Sequence, residues 1–279
     1  MRWTFLAFAV LATLLAVVSF VGFGQDQSGD VVNCLGSTSV QPFAELLAEE
    51  YDRLHPDARV DVQGGGSTAG LQAVANGIVQ IGMCSRSLKS DEMKQFRGIP
   101  IALDGLAVVV HSDNPITDLS LAQIRAIFHG DITNWKDVGG VDGPIRLITR
   151  EEGSGTREAF QKLVMDAAGA EPGNHTANRI SRKAMTQESN GAVKELIVND
   201  RFAVGYMSLG LVQGQLRMVS VNGVVPSRET VVLKTYPLVR PFLFVVTGEP
   251  SPPTAAFIEF VLSSQGQAML EKEGLVSVR

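Results

Sequence analysis

Three short stretches of this chain concentrate glycines and hydroxyls at a spacing that could grip a ligand. They are G-S-T-S at 36–39, G-G-G-S-T at 64–68 and R-E-E-G-S-G-T-R at 150–157. The third adds a cation, Arg150, directly before the turn. A serine nucleophile on a sharp strand-to-helix turn needs glycine two residues to either side. Around Ser154 those positions hold Glu152 and Thr156, so that chemistry is absent. A nucleotide phosphate loop ends in G-K-[ST], and this stretch has no lysine. Ser154 also has the residue type of a simple helix cap. What the three turns share is donors without a base or a metal ligand. Glycine lets backbone N–H groups approach a ligand closely, and hydroxyl donors rotate to suit it. Donors gathered at strand-to-helix turns suit a small tetrahedral anion.

The flanking sequence supplies the elements that must hold these turns. Strand patterns at 31–35, 58–63, 79–83, 99–103 and 106–110 alternate with helical spacing at 39–55 and 67–77. A helix over 119–130 and a strand over 143–149 lead into the third turn. Helices near 154–167 and 188–198, strands at 202–206 and 239–248, and a terminal helix pair over 252–274 complete the pattern. Alternation of this kind predicts an α/β fold with mostly parallel, doubly wound sheets. Turns at the carboxyl ends of such strands converge on one crevice. The chain divides into two lobes: residues 28–109 with 240–279, and residues 110–239. Trp135 is read as packing of the second lobe, and Glu151 and Glu152 as solvent-facing or paired with nearby arginines.

Composition narrows the function classes. A net charge of −5 and 45% hydrophobic residues describe a globular chain without the basic face that nucleic acid requires. Arg2 followed by an uncharged apolar run from Trp3 to Phe23 reads as an export signal over residues 1–24, cleaved after Gly24 or kept as a membrane anchor. The protein therefore works outside the cytoplasmic membrane, in the periplasm or at the cell surface. Cys34 and Cys84 end strand patterns and are either a disulfide pair or two buried thiols. Four scattered histidines offer no paired metal ligands, and neither an activated nucleophile nor a cofactor motif is present. The expectation is a binding protein with no catalytic residues, metal or cofactor.

Six ordered motifs carry a resemblance: GSTSVQPF, QGGGSTAGLQAV, IGMCSRSL, DGLAVVV, IRAIFHGDITNW and REEGSGTREAF. Together they resemble the exported phosphate-binding proteins of phosphate ABC transporters, in the periplasmic substrate-binding superfamily. The resemblance implies a hinged, two-lobed fold that closes on inorganic phosphate, acts as a monomer and delivers its ligand to membrane permease subunits. It implies ligand contacts from Thr38, Ser39 and Ser67 in one lobe and from Arg150, Ser154, Gly155 and Thr156 in the other. The family also sets a carboxylate against the ligand, to accept the proton carried by hydrogen phosphate, a proton that fully ionised sulfate lacks. One branch carries it in the segment matching IGMCSR, where this chain has Arg86, so Asp104 takes that role here. Arg86 is then a second cationic contact or a partner that holds Asp104. A binding protein for sulfate or molybdate, or a tethered phosphate sensor, would share these features.

Overall fold

The computed structural model describes residues 31–167 and 178–279; the proposed export segment lies outside them. Strand β1 (Val31–Gly36) pairs in parallel with β2 (Arg59–Gly64) and β3 (Ile81–Cys84). Helix α1 (Gln41–Leu54) connects β1 to β2, and its Phe43, Ala44, Leu47, Ala48 and Tyr51 are buried on one stripe. Helix α2 (Ser67–Ala75) connects β2 to β3 and packs at backbone distance. A Cβ on its Gly70 would lie 2.5 Å from the Leu35 carbonyl oxygen and 2.9 Å from Gly36 Cα, so only glycine permits this seat.

Strand β4 (Arg97–His111) runs 15 residues without a break. The sequence pattern predicts two strands here, 99–103 and 106–110, on either side of Asp104-Gly105, a pair common in turns. Partners on both sides override that local preference. Its first part pairs with β10 (Val239–Val246), and its second part pairs with β8 (Ala203–Ser208) and β9 (Leu216–Val221), all antiparallel. Pro100, which has no N–H to give, sits beside a register shift in the β10 pairing. The remaining strands are β5 (Asp118–Leu119), beside β9, and β6 (Arg146–Arg150) and β7 (Met185–Gln187), which extend from β8 in parallel. The path is β2-β1-β3-β10-β4-β8-β6-β7. Its two ends are parallel runs, and β10 and β4 are the antiparallel joint between them.

Helices α3 (Leu121–His129), α4 (Gly155–Phe160), α5 (Asn190–Val198), α6 (Arg228–Val232), α7 (Pro252–Leu262) and α8 (Ser264–Lys272) complete the described chain. The helix expected to continue to 167 is α-helical only to Phe160, then turns through a π-helical stretch over Gln161–Met165. Two principal buried clusters result, and the fold is a two-lobed α/β architecture. One cluster joins β1, α1 and β3 to Phe242, Phe244, Phe257 and Leu270 near the end of the chain. The other gathers Leu106, Val108, Phe128, Trp135, Phe160, Tyr206 and Leu238. Trp135 is fully buried there and donates its indole N–H to the Phe202 carbonyl at 2.9 Å.

Cys34 and Cys84 are free and buried. Their strands are adjacent, as expected, but Cys34 faces Ile81 in the register, three residues short of Cys84. Burial raises both thiols, Cys34 to about 12.

Candidate functional site

Each glycine-hydroxyl turn follows a strand. Gly36 ends β1 and delivers Ser37, Thr38 and Ser39 to the start of α1; Gly64 ends β2 and delivers Ser67; Arg150 ends β6 and delivers Ser154, Gly155 and Thr156 to α4. Gly153 enables the third turn with φ +87°, a conformation that favours glycine. Ser154 caps α4, its hydroxyl accepting from the Arg157 N–H at 3.3 Å. Its own O–H proton remains available to donate.

The first and third turns meet. Ser39 Oγ lies 2.7 Å from Thr156 Oγ1, and Arg150 Nη2 donates to Thr38 Oγ1 at 3.0 Å. The second turn closes behind them: Ser67 Oγ accepts from the Ser85 N–H at 3.1 Å, and Gly155 packs directly on Ser67 and Ser85. Arg150 is 1% exposed. Glu151 holds it by a fork of two 2.9 Å hydrogen bonds, and the Gln187 and Glu188 carbonyls accept further bonds from it. Its Nη1 is buried and has no hydrogen-bond partner among the described residues. Glu151 is thus a support for the site's cation, whereas Glu152 pairs with Arg157 at 2.7 Å.

Asp104 is fully buried in the middle of β4. Arg240 Nε donates to its Oδ2 at 2.9 Å, and Ser208 Oγ donates to its Oδ1 at 2.8 Å. Burial pushes the Asp104 carboxyl above its ordinary value, opposed by Arg240, Ser208 and the Gly210 N–H. Burial likewise lowers the Arg240 guanidinium, opposed by Asp104 and assisted by repulsion from Arg150. Two buried cations therefore feel each other across this site.

Six residues close into a ring. Arg240 Nη1 donates to Thr156 Oγ1 at 2.7 Å, Thr156 meets Ser39, and Asn190 Nδ2 donates to Ser39 Oγ at 2.9 Å. Asn190 Oδ1 accepts from the Ser208 backbone N–H at 3.2 Å, the Ser208 hydroxyl donates to Asp104, and Asp104 closes the ring by accepting from Arg240. Ser39 and Thr156 each already accept a bond from outside their pair. Whichever donates to the other, the second keeps one hydroxyl proton free to point elsewhere. The arrangement therefore offers an anion a hydroxyl donor beside the Arg150 guanidinium.

Of the residues named from sequence, Thr38, Ser39, Asp104, Arg150 and Thr156 converge here, with Ser67, Ser154 and Gly155 alongside. Arg86 does not join them. Its Nη1 and Nη2 fork onto Glu92 at 2.7 and 2.8 Å, and its Nε lies 3.1 Å from Glu158 Oε2. Burial opposes its charge, but Glu92 and Glu158 hold the guanidinium above its ordinary value. Sequence reasoning missed Arg240 and Ser208. A signal for Arg240 existed: a single charge within the apolar run VRPFLFVV, which burial tolerates only with a partner.

A sequence profile of the PBP superfamily domain matches residues 23–265. The phosphate-binding protein PstS of Bacillus subtilis (strain 168) is 30% identical over 260 residues, covering 91% of this chain and 83% of that relative. A solved structure from Clostridium perfringens, described as a phosphate ABC transporter substrate-binding protein with bound phosphate, superposes with a TM-score of 0.83 at 38% identity. It covers 90% of this chain and all (100%) of that one. An ABC-type phosphate transport receptor from Vibrio cholerae gives 0.72 at 34% identity, covering 89% and 100%.

Proposed function

This chain belongs to the PBP superfamily, among its phosphate-binding proteins, and on that premise we propose that it captures inorganic phosphate outside the cytoplasmic membrane and delivers it to the permease subunits of an ABC transporter. The observation that carries this reading is the meeting of two buried arginines with hydroxyls from two separate turns. Arg150 and Arg240 both donate into the Thr38, Ser39 and Thr156 group, and Arg150 Nη1 is buried without a hydrogen-bond partner among the described residues. A buried cation with an unused donor is costly unless an anion takes it. Tetrahedral oxygens placed among these donors would satisfy it through charge-assisted bonds.

Thr38, Ser39, Ser67, Arg150, Ser154, Gly155 and Thr156 are the proposed phosphate contacts, and Arg240 joins them. Asp104, which holds the Arg240 guanidinium in place, is proposed to accept the proton of hydrogen phosphate, which sulfate cannot supply. The protein acts as a monomeric binding protein rather than an enzyme. The lobe limits are proposed at 28–109 with 240–279, and 110–239. The switch of β4 from β10 to β8 falls slightly earlier than the first of these limits, between Gly105 and Leu106, so Leu106 to Val109 pair with strands of the second lobe.

Calorimetric titration of the chain lacking residues 1–24 tests the reading, with inorganic phosphate and sulfate in parallel. Phosphate is expected to bind at one site. Arg150→Ala is expected to weaken it about 10- to 100-fold, the value of one charge-assisted contact. Binding of sulfate as tight as that of phosphate, or unchanged affinity in a folded Arg150→Ala variant, would overturn it.

A further inference from the structure

Arg86 is buried, carries full charge and stands outside the anion-binding group. Glu92 takes both of its terminal nitrogens, which leaves Nε facing Glu158 Oε2 at 3.1 Å, within ion-pair distance though out of line for a hydrogen bond. Glu158 is the fourth residue of α4, two residues beyond Thr156. The same carboxylate lies 2.6 Å from Lys89 Nζ and accepts from Thr68 Oγ1 at 3.4 Å. One residue N-terminal to Ser154, the Gly153 carbonyl accepts the Thr68 backbone N–H at 3.0 Å.

Every one of these partners of Glu158 comes from the segment 68–89, packed on the first core, whereas α4 continues into Phe160 of the second core. We propose that Glu158 is a positioning residue for ligand capture: held by Arg86, Lys89 and Thr68, it clamps the helix that carries Ser154, Gly155 and Thr156 onto the opposite lobe and sets how long the closed site retains its anion. This rests on the phosphate-receptor reading above.

Geometry favours a clamp over an idle surface pair. An exposed pair gains little because two long side chains must be ordered to make it. Here Glu92 has already fixed Arg86, whose side chain is 6% exposed, so most of that ordering cost does not fall on the contact with Glu158. Burial also shields this contact from salt more than the Lys89 contact, whose lysine is 57% exposed. None of the clamp residues joins the hydrogen-bonded ring, so loosening the clamp changes retention without changing which donors meet the ligand.

The test is Glu158→Gln, which keeps the shape and removes the charge. Stopped-flow release of inorganic phosphate is expected to be about 5- to 30-fold faster, with little change in association rate and an unchanged preference for phosphate over sulfate. Lys89→Gln should show the same effect at smaller size. Hydrogen exchange at the Thr68 amide, measured without phosphate, should also rise in Glu158→Gln, because its acceptor on Gly153 moves away. Wild-type release rate and wild-type Thr68 exchange in a folded Glu158→Gln variant would refute the clamp. A wild-type protein that ignores phosphate, while Glu158→Gln still raises Thr68 exchange, would instead refute the phosphate reading and leave the clamp standing.

Discussion

Arg240 stands directly opposite Asp104 in the register of β10 and β4, and its Nε also holds that carboxylate at 2.9 Å. Cross-strand neighbours here are an ion pair, each side chain at most 2% exposed. The pair sits where β4 changes partners, so the joint between the two sheet halves is also the root of the hydrogen-bonded ring.

Removing one partner strands the other. Asp104→Ala should lower unfolding free energy by about 3–5 kcal/mol, the usual cost of leaving a buried charge uncompensated. The double variant Asp104→Leu, Arg240→Met should recover most of that loss, because burying two apolar side chains avoids both desolvation penalties. Phosphate affinity should stay low in the double variant, since Thr156 loses its donor. Urea melts beside calorimetric titrations separate the two effects. Recovery of binding together with stability would show that Arg240 has no part in the site.

Gly155 leaves no room for a side chain. An added Cβ would overlap Ser67 Oγ and come within 2.7 Å of Ser85 Oγ. Gly155→Ala should therefore push the third turn off the second and weaken phosphate binding roughly 5- to 100-fold, from an overpacking strain of about 1–3 kcal/mol. A crystal structure of the variant should place Thr156 Oγ1 farther than 2.7 Å from Ser39 Oγ. Wild-type affinity would mean that the overlap is relieved by a serine rotamer change alone.

Acid should loosen the Arg86 support. Burial raises the Glu92 carboxyl, but hydrogen bonds from Arg86 and the Lys89 N–H outweigh it, and the net shift is downward from 4.5. A carboxylate lowered in the folded state contributes stability that is complete above its unfolded value and is lost as pH falls through the folded one. Wild type should thus lose stability below about pH 4.5 more steeply than Glu92→Gln. Parallel acid limbs in thermal melts of the two proteins would exclude this contribution.

Neither thiol should react in the native protein. Cys34 is raised to about 12 and Cys84 is also raised, both mainly by burial, so little thiolate exists near neutrality. Iodoacetamide at about pH 8 should add nothing to the folded chain and two carbamidomethyl groups in denaturant, as read by intact mass. Prompt labelling of the native chain would contradict the burial.

Much of the site was legible because its donors follow strands directly. In each of the three turns, a strand pattern, a glycine and a hydroxyl lie within a few residues, and local sequence places them at one sheet edge. The other half depends on pairing across long separations. Arg240 meets Asp104 over 136 residues, so β10 read only as an apolar strand. Asp104-Gly105 has turn composition, and β10 and β8 on either side of β4 overrule it. Arg86 carries the charge expected of a ligand contact, but its direction is set by Glu92 and Glu158, and no local pattern announces either partner. The cysteines lie on adjacent strands as the pattern implied; the register that keeps them apart is a property of the sheet.

The insertion of β10 between β3 and β4 has a consequence for the order of assembly. During synthesis, a chain that has reached Leu238 already contains β3 and β4 but not the strand that joins them. Both would then present open edges, and the first core would still lack Phe242, Phe244, Phe257 and Leu270. Pairings this distant in sequence form slowly. The N-terminal segment therefore cannot complete its lobe before β10 arrives, and the ion pair of Asp104 with Arg240 forms only after that strand has been made.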